Sequence, residues 1–175
     1  MLKVLAFTVV VGIVAVLALA ATRPDTFRVR RAASVKAPPE RIFPLINDLR
    51  RWSAWSPYEK KDPAMKRTLS GTAAGKGAVY EWDGNKDIGK GRMEIIESSP
   101  PTRVLIALDF VRPFEAHNLV EFTLEPNGDS TRVTWAMDGR SPYVAKLMGL
   151  FFSMDRMIGE DFEAGLASLR ALAEG

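Results

Sequence analysis

Alternation of apolar and polar residues governs most of the chain after residue 24. In the first such segment, residues 25–36, one side of the alternation carries apolar side chains: Phe27, Val29, Ala33 and Val35. This pattern predicts a strand with one face in water. Arg31 falls on the apolar side, where its charge requires a buried acidic residue, a ligand carboxylate or an edge position that reaches solvent.

A helical spacing follows this strand. Proline tolerates the first turn of a helix because the N–H that it lacks would be unpaired there, so Pro38-Pro39-Glu40 predicts a helix start. The apolar stripe of this helix consists of Ile42, Phe43, Leu45, Ile46 and Leu49. Pro44 lies within the stripe and predicts a short or distorted helix. A second short helical piece is predicted from Trp52 to Trp55, ending at Ser56-Pro57.

The period then changes to two, which predicts six further strands in an antiparallel meander. Turn residues separate the candidate strands, which are residues 65–70, 77–83, 89–98, 102–111, 116–125 and 130–138. Alternation assigns their inward residues: Tyr80, Trp82, Met93, Ile95, Val104, Ile106, Leu108, Phe110, Val120, Phe122, Leu124, Val133, Trp135 and Met137. By the same parity Asn118 points inward and His117 outward.

The C-terminal part reads as one long helix after Ser141-Pro142, amphipathic in its later part. Glycine costs about 1 kcal/mol relative to alanine within a helix. We therefore expect kinks, or close approach of another group to the backbone, at Gly149, Gly159 and Gly165. Asp155 and Arg156 are expected to tie this helix to the basic segment near the N-terminus.

Residues Val4 to Ala21 form an uncharged stretch, about 27 Å long as a helix, which is close to the thickness of a bilayer core. We predict a transmembrane anchor over residues 1–22, followed by one domain over residues 23–175. A cleaved signal peptide is the alternative, because Ala18-Leu19-Ala20 forms an A-x-A site.

The side of the membrane is open to two interpretations. Basic residues follow the span, among them Arg23 and Arg28, and the positive-inside rule would keep the domain in the cytoplasm. A hydrophobic segment behind a tail of three residues instead resembles an ordinary export signal. We expect a single-pass membrane protein with its domain on the periplasmic or outer face.

Charge and cysteine content narrow the function classes. Residues 22–76 carry 13 Lys/Arg and 5 Asp/Glu, so the segment next to the span is basic and suited to anionic headgroups. No nucleic-acid motif accompanies this charge, and we expect no nucleic-acid partner. The chain has no cysteine, which excludes disulfides and thiolate chemistry.

The order of these elements is that of an α+β helix-grip fold, and four segments carry a family resemblance. They are Ala37–Phe43, Asn47–Tyr58, Val133–Met137 and Met154–Glu163. Through them, residues 25–172 resemble the START-related superfamily, also called SRPBCC, and within it the polyketide cyclase/dehydrase-like proteins. The family spans lipid carriers, hormone receptors and cyclases, so the resemblance is more specific for the fold than for the activity.

In this family a curved antiparallel sheet grips the last helix and leaves an apolar cavity between them. The resemblance implies that the cavity lining here includes Trp52, Trp55, Tyr58, Trp82, Phe110, Trp135, Met148 and Phe152. Tyr80, Asn118 and Met137 are candidates as well, because the alternation turns them to the same side.

No catalytic residue set emerges from the sequence. His117 is the only histidine, so a multi-histidine metal site is impossible, and its outward parity indicates a surface residue. We expect no metal and no cofactor, and the sequence favours a protein that is not an enzyme.

Three functions remain open. The first is membrane-anchored binding of a lipid or other hydrophobic small molecule. The second is a cyclase, dehydrase or hydrolase acting on a hydrophobic carbonyl substrate through Tyr80, Asn118 or Arg31. The third is an interaction domain whose interior is filled by its own side chains, which a cavity below about 300 Å³ would favour.

Overall fold

The computed structural model describes residues 1–175, apart from the side chain of Leu2. The strands are β1 (Thr26–Val35), β2 (Lys66–Gly71), β3 (Ala78–Asp83), β4 (Lys90–Ser99), β5 (Arg103–Arg112), β6 (Ala116–Asn127) and β7 (Ser130–Arg140). The helices are α1 (Leu2–Ala21), α2 (Pro39–Asn47), α3 (Pro57–Lys61), α4 (Tyr143–Met148) and α5 (Met154–Glu174), and a 3-10 helix covers Leu49–Ala54.

The strands form one antiparallel sheet in the order β1-β7-β6-β5-β4-β3-β2. All seven predicted strands are confirmed, with boundaries that differ by at most two residues. The meander from β2 to β7 is closed by β1, which pairs with β7 so that Arg31 lies opposite Trp135. The predicted inward and outward faces are also confirmed, since Asn118 is buried while His117 is exposed. The α+β helix-grip architecture is therefore established.

The two tryptophans that follow α2 complete the end of that helix. Trp52 donates from its indole N–H to the Ile46 carbonyl at 2.9 Å, and Trp55 donates to the Leu45 carbonyl at 2.9 Å. A helix leaves its last carbonyls without partners, so these two bonds satisfy acceptors that would otherwise be buried and unpaired. The close spacing of the two tryptophans thus has a structural reason.

The C-terminal segment departs from the prediction of one long helix. It forms α4 and α5, separated by Gly149–Ser153. The Ser153 hydroxyl accepts a hydrogen bond from the Arg156 backbone N–H, which starts a new helix. The face of α5 that packs against the sheet contains Phe162, Leu166 and Leu169.

Ion pairs fix α5 on β1. Arg31 Nε lies 2.7 Å from Glu163 Oε1 and its Nη2 lies 3.0 Å from Asp155 Oδ2. Of the three alternatives for Arg31, an acidic partner is the one found, although both carboxylates are largely exposed. Asp155 ties the last helix to the basic segment as expected, whereas Arg156 pairs with Glu160 within α5. Close approach explains two helix glycines, since a Cβ would lie 2.0 Å from Arg31 Nη2 at Gly159 and 2.7 Å from a Trp135 ring carbon at Gly165.

Helix α1 is long and apolar enough to cross a membrane. Its side chains are almost all exposed. Its last turns contact α4, where the Tyr143 hydroxyl donates to the Leu17 carbonyl at 2.8 Å.

Candidate functional site

The centre of the concave face is a solid aromatic cluster. Trp135 stacks on Phe162 with ring centroids 4.1 Å apart, and Phe122 lies 4.9 Å from Trp135. Trp52 and Trp55, 4.8 Å apart, close the other side. Three predicted lining residues are thus brought together as packed core. The Trp135 indole N–H is buried and has no hydrogen-bond partner among the described residues.

Two rows of cross-strand partners differ in how far the concave face is covered by α5. The row that we call the closed row consists of Arg31, Trp135, Phe122 and Val104. The row that we call the open row lies four residues away along each strand and consists of Phe27, Gly139, Asn118, Leu108, Met93 and Tyr80. Because each strand contributes one residue, the open row crosses six of the seven strands.

Helix α5 covers the closed row and runs away from the open row. Its first turn binds Arg31, and its last residue, Glu174, accepts a hydrogen bond from the Lys36 N–H at the far end of β1. Burial changes in part: Trp135, Phe122 and Val104 are at most 2% exposed, whereas in the open row Phe27 and Leu108 are only partly buried and Tyr80, Met93 and Asn118 are buried. The concave face is therefore less covered near Phe27 and Leu108, at the end of the sheet where β1 begins.

Asn118 is the polar member of the open row. Its side chain is buried, and a Cβ on the neighbouring Gly139 would lie 2.0 Å from Asn118 Oδ1, so the amide lies directly over the glycine. No hydrogen bond to this amide is present among the described residues. An amide both donates and accepts, so this position is suited to a carbonyl, hydroxyl or carboxyl group.

A second aromatic group adjoins the open row on β3 and β5. Trp82 lies 5.6 Å from Phe110 and 6.4 Å from Tyr80, measured between ring centroids. Gly91 lies on β4, between these two strands. A Cβ at this position would be 2.4 Å from a carbon of the Trp82 ring, so only glycine fits there. Met137 lies one inward position from Gly139 along β7 and is buried.

The sequence did not reveal Glu59, a buried carboxylate on α3. It accepts a hydrogen bond from the Tyr80 hydroxyl at 2.5 Å and one from Arg67 Nε at 2.7 Å. Burial, together with the hydrogen bond to Glu59, raises the pKa of Tyr80 above its usual range. Glu59 precedes two lysines and reads as a surface residue, and only an α3 prediction could have identified it.

Tyr58 and Asp161 face each other between α3 and α5. Burial raises the pKa of the Tyr58 hydroxyl, and the negative charge of Asp161 adds to the effect. Lys61 binds Asp161 at 2.6 Å, which holds α3 against α5. Tyr58 is therefore placed at the helix side of the grip, and its neutral form is the stable one at neutral pH.

The structure does not place Met148 and Phe152 with the other predicted lining residues. Their side chains are 51% and 62% exposed. This departs from the expectation that they lie between sheet and helix, and the cause is the break at Gly149–Ser153, which directs α4 towards α1 instead of along the sheet.

Two depressions of about 140 Å³ each lie on the surface. One is formed by the 3-10 helix with β2 and β3, and the other by β1 and α5. Neither contains a predicted lining residue, and both are well below the roughly 300 Å³ of a typical small-molecule site.

His117 lies on the outer face, as its parity predicted. Its Nδ1 is 2.7 Å from Asp109 Oδ1 and its Nε2 is 3.6 Å from Glu115 Oε1. These carboxylates raise the pKa of His117. Among the described residues, no three His, Asp or Glu side chains are grouped so that they could hold a metal ion.

A curved antiparallel sheet closed around a C-terminal helix, with an apolar face open at one end, defines a helix-grip protein. The chain belongs to the polyketide cyclase / dehydrase and lipid transport family, whose model matches residues 26–174. The predicted START-related (SRPBCC) membership is thereby confirmed.

Solved structures share this fold. A Chromobacterium violaceum protein is 18% identical with a TM-score of 0.61, and the alignment covers 87% of this chain and 99% of that one. A Nitrosospira multiformis protein is 21% identical with a TM-score of 0.60, over 83% and 94%. Major latex-like protein 151 of Panax ginseng is 13% identical with a TM-score of 0.58, over 85% and 97%. No curated protein sequence matches the chain.

Proposed function

We propose that this protein binds a lipid or another hydrophobic small molecule at the open row while α1 holds it in a membrane. The observation that carries the proposal is the less covered part of the concave face, where the partly buried Phe27, Leu108 and Phe110 share a face with Asn118, whose amide makes no hydrogen bond among the described residues. An apolar surface with one convergent polar group is typical of small-molecule sites.

Burial of apolar surface supplies the binding energy. Each methylene removed from water contributes about 0.8 kcal/mol, so micromolar affinity, about 8 kcal/mol, requires roughly ten buried methylenes. A fatty acyl or isoprenoid chain is long enough, and its polar end would meet Asn118. The surface depressions lie elsewhere on the fold, so binding of such a chain requires the open row to widen.

The anchor and the domain have separate roles in this proposal. Residues 1–22 span the bilayer, and residues 23–175 form the binding domain, which we place on the outer face. Labelling of Asp129→Cys with a membrane-impermeant thiol reagent in intact cells decides the side, because Asp129 is exposed and the natural chain has no cysteine. Labelling only after lysis would place the domain in the cytoplasm.

A domain without a ligand is the second candidate. The filled aromatic cluster and the small volume of the surface depressions favour it. The enzymatic alternative has less support from the polar groups named for it, because Arg31 is held by Asp155 and Glu163 and Tyr80 by Glu59. Asn118 is the remaining candidate for polarising a carbonyl.

The deciding experiment compares two identical substitutions on opposite faces of the sheet. Leu108 belongs to the open row, while Leu119, on the adjacent strand, is 46% exposed on the outer face. The full-length protein in lipid nanodiscs is titrated with a fluorescent fatty acid, and polarisation is recorded. Leu108→Trp should weaken binding at least tenfold because the ring fills the opening, whereas Leu119→Trp should leave binding unchanged.

Equal binding by a folded Leu108→Trp variant would exclude the open row as the site. Native mass spectrometry of the protein after incubation with a lipid extract gives the independent readout. Absence of any bound lipid, together with absence of fatty-acid binding, would support the interaction domain.

A further inference from the structure

The segment from Tyr143 to Met157, comprising α4, the Gly149–Ser153 connection and the first turn of α5, exposes an unusual number of large apolar side chains. They are Tyr143, Val144, Met148, Phe151, Phe152, Met154 and Met157. Large contiguous apolar patches are rare on the surface of soluble proteins, and they mark sites of contact with another protein or a membrane. We call this segment the apolar flap.

The apolar flap is packed against the membrane helix. Tyr143 donates a hydrogen bond to the Leu17 carbonyl, which lies four residues, or about 6 Å, before the end of α1. Side chains buried about 5–10 Å into the headgroup and acyl boundary are characteristic of interfacial segments. With α1 in a bilayer, Tyr143 therefore lies at interfacial depth, where tyrosine is enriched.

The charges around the flap are compatible with a membrane surface. The flap's own Lys146 is ion-paired with Asp25 in the linker after α1. Arg23 and Arg140 are exposed at the same end of the sheet, where Arg140 is the cross-strand partner of Thr26. The exposed carboxylates of this region, Asp25, Asp155 and Glu115, each lie beside a basic side chain. Arg23 and Arg140 are therefore the charges that would meet anionic headgroups.

A turn from the neighbouring strands ends on the same side. The β5–β6 turn presents the exposed Phe114, and it adjoins the end of β7 that leads into α4. Helix α1, the flap and this turn therefore all lie at the end of the sheet where the open row is found.

We propose that the apolar flap inserts into the membrane interface beside α1, so that the open row faces the bilayer. This inference rests on the membrane attachment proposed above. It adds a second membrane contact, which fixes the orientation of the domain instead of leaving it on a flexible tether.

Site-directed spin labelling tests the insertion, since a chain without cysteine accepts single labels. The full-length variants Phe152→Cys, Val11→Cys and Asp129→Cys are reconstituted in phosphatidylcholine vesicles containing phosphatidylglycerol. Collision rates with oxygen, which partitions into lipid, and with a water-soluble nickel chelate are then measured. Phe152 is exposed in the fold, so its replacement leaves the core intact.

The label at position 152 should show an oxygen-to-nickel ratio severalfold higher than that at position 129 and lower than that at position 11, which lies near the middle of α1. A ratio at position 152 equal to that at position 129, with position 11 in lipid, would overturn the flap insertion and leave the anchor intact. Protection of position 152 from both probes would also overturn it, because a second protein copy then covers the flap. A water-like label at position 11 would refute the anchor, and the insertion with it.

Discussion

Removal of the Glu59 carboxylate is expected to loosen the wall that α3, β2 and β3 form beside the open row. This carboxylate accepts hydrogen bonds from the Tyr80 hydroxyl at 2.5 Å and from Arg67 Nε at 2.7 Å. Glu59→Ala leaves the buried Tyr80 hydroxyl without its acceptor, whereas Arg67 loses the carboxylate but keeps its hydrogen bonds to the Pro63 and Met65 carbonyls.

The size of the effect follows from the burial of the two partners. A hydrogen bond to a charged group contributes about 1.5–3 kcal/mol. The Arg67 side chain is 32% exposed, so its ion pair with Glu59 adds only about 0.5–1 kcal/mol. The free energy of unfolding should therefore fall by about 2–4 kcal/mol in Glu59→Ala. For a domain of this size the corresponding fall in Tm is about 4–16 °C. Glu59→Gln keeps an acceptor for Tyr80 and should lose about half as much.

Thermal melting of the full-length protein in detergent, followed by near-UV circular dichroism, measures the change. Glu160→Ala is the matched control, because Glu160 forms an exposed ion pair with Arg156 on the surface of α5 and should contribute less than about 0.5 kcal/mol. If Glu59→Ala melts at the same temperature as Glu160→Ala, the buried acceptor has no structural role and the reasoning fails.

A bound fluorescent fatty acid should quench tryptophan emission mainly through Trp82, because Trp82 adjoins the open row. Trp82→Phe should therefore remove most of the quenching, and Trp52→Phe should remove little of it. The reverse pattern would place the ligand in the aromatic cluster that contains Trp52. Stability at acid pH should depend on Asp155, whose pKa is lowered by its hydrogen bond to Arg31. A lowered pKa stabilises the fold above the unfolded value of about 3.9 and ceases to do so as pH falls through the folded value. The difference in Tm between the natural chain and Asp155→Asn should thus be constant at neutral pH and vanish in strong acid, and a difference that persists there would contradict this role of the ion pair.

The strands were predictable because most of them alternate between an inner face that is buried or partly buried and an outer face in water. Period-two patterning fixes which residues point inward, and a register shift of one residue would reverse the faces. The same reasoning identified Asn118 as inward and His117 as outward, although neither residue type alone indicates a side.

The breaks in the helices were not predictable from the same signals. Pro57 ends the predicted helical piece in the sequence, but proline also begins helices, and here it starts α3. The run from Leu147 to Phe152 is apolar on all sides, so it carries no periodicity that could reveal the end of α4 at Met148. The part of the concave face that α5 leaves uncovered depends on where α5 begins. The sequence could therefore predict which residues share the concave face, but not which of them belong to the open row.

The position of the open row decides how a ligand would reach it. Passage of an acyl chain of some fifteen methylenes through water costs about 12 kcal/mol, a factor of about 10⁹ in the population of the free chain. An opening that faces water leaves this cost in place. An opening that faces the bilayer avoids most of it, because the chain moves from one apolar environment to another. The open row lies at the end of the sheet that carries both α1 and the apolar flap. Under the proposed function this arrangement favours uptake directly from the membrane, because the flap that contacts the bilayer lies at the same end of the sheet as the open row.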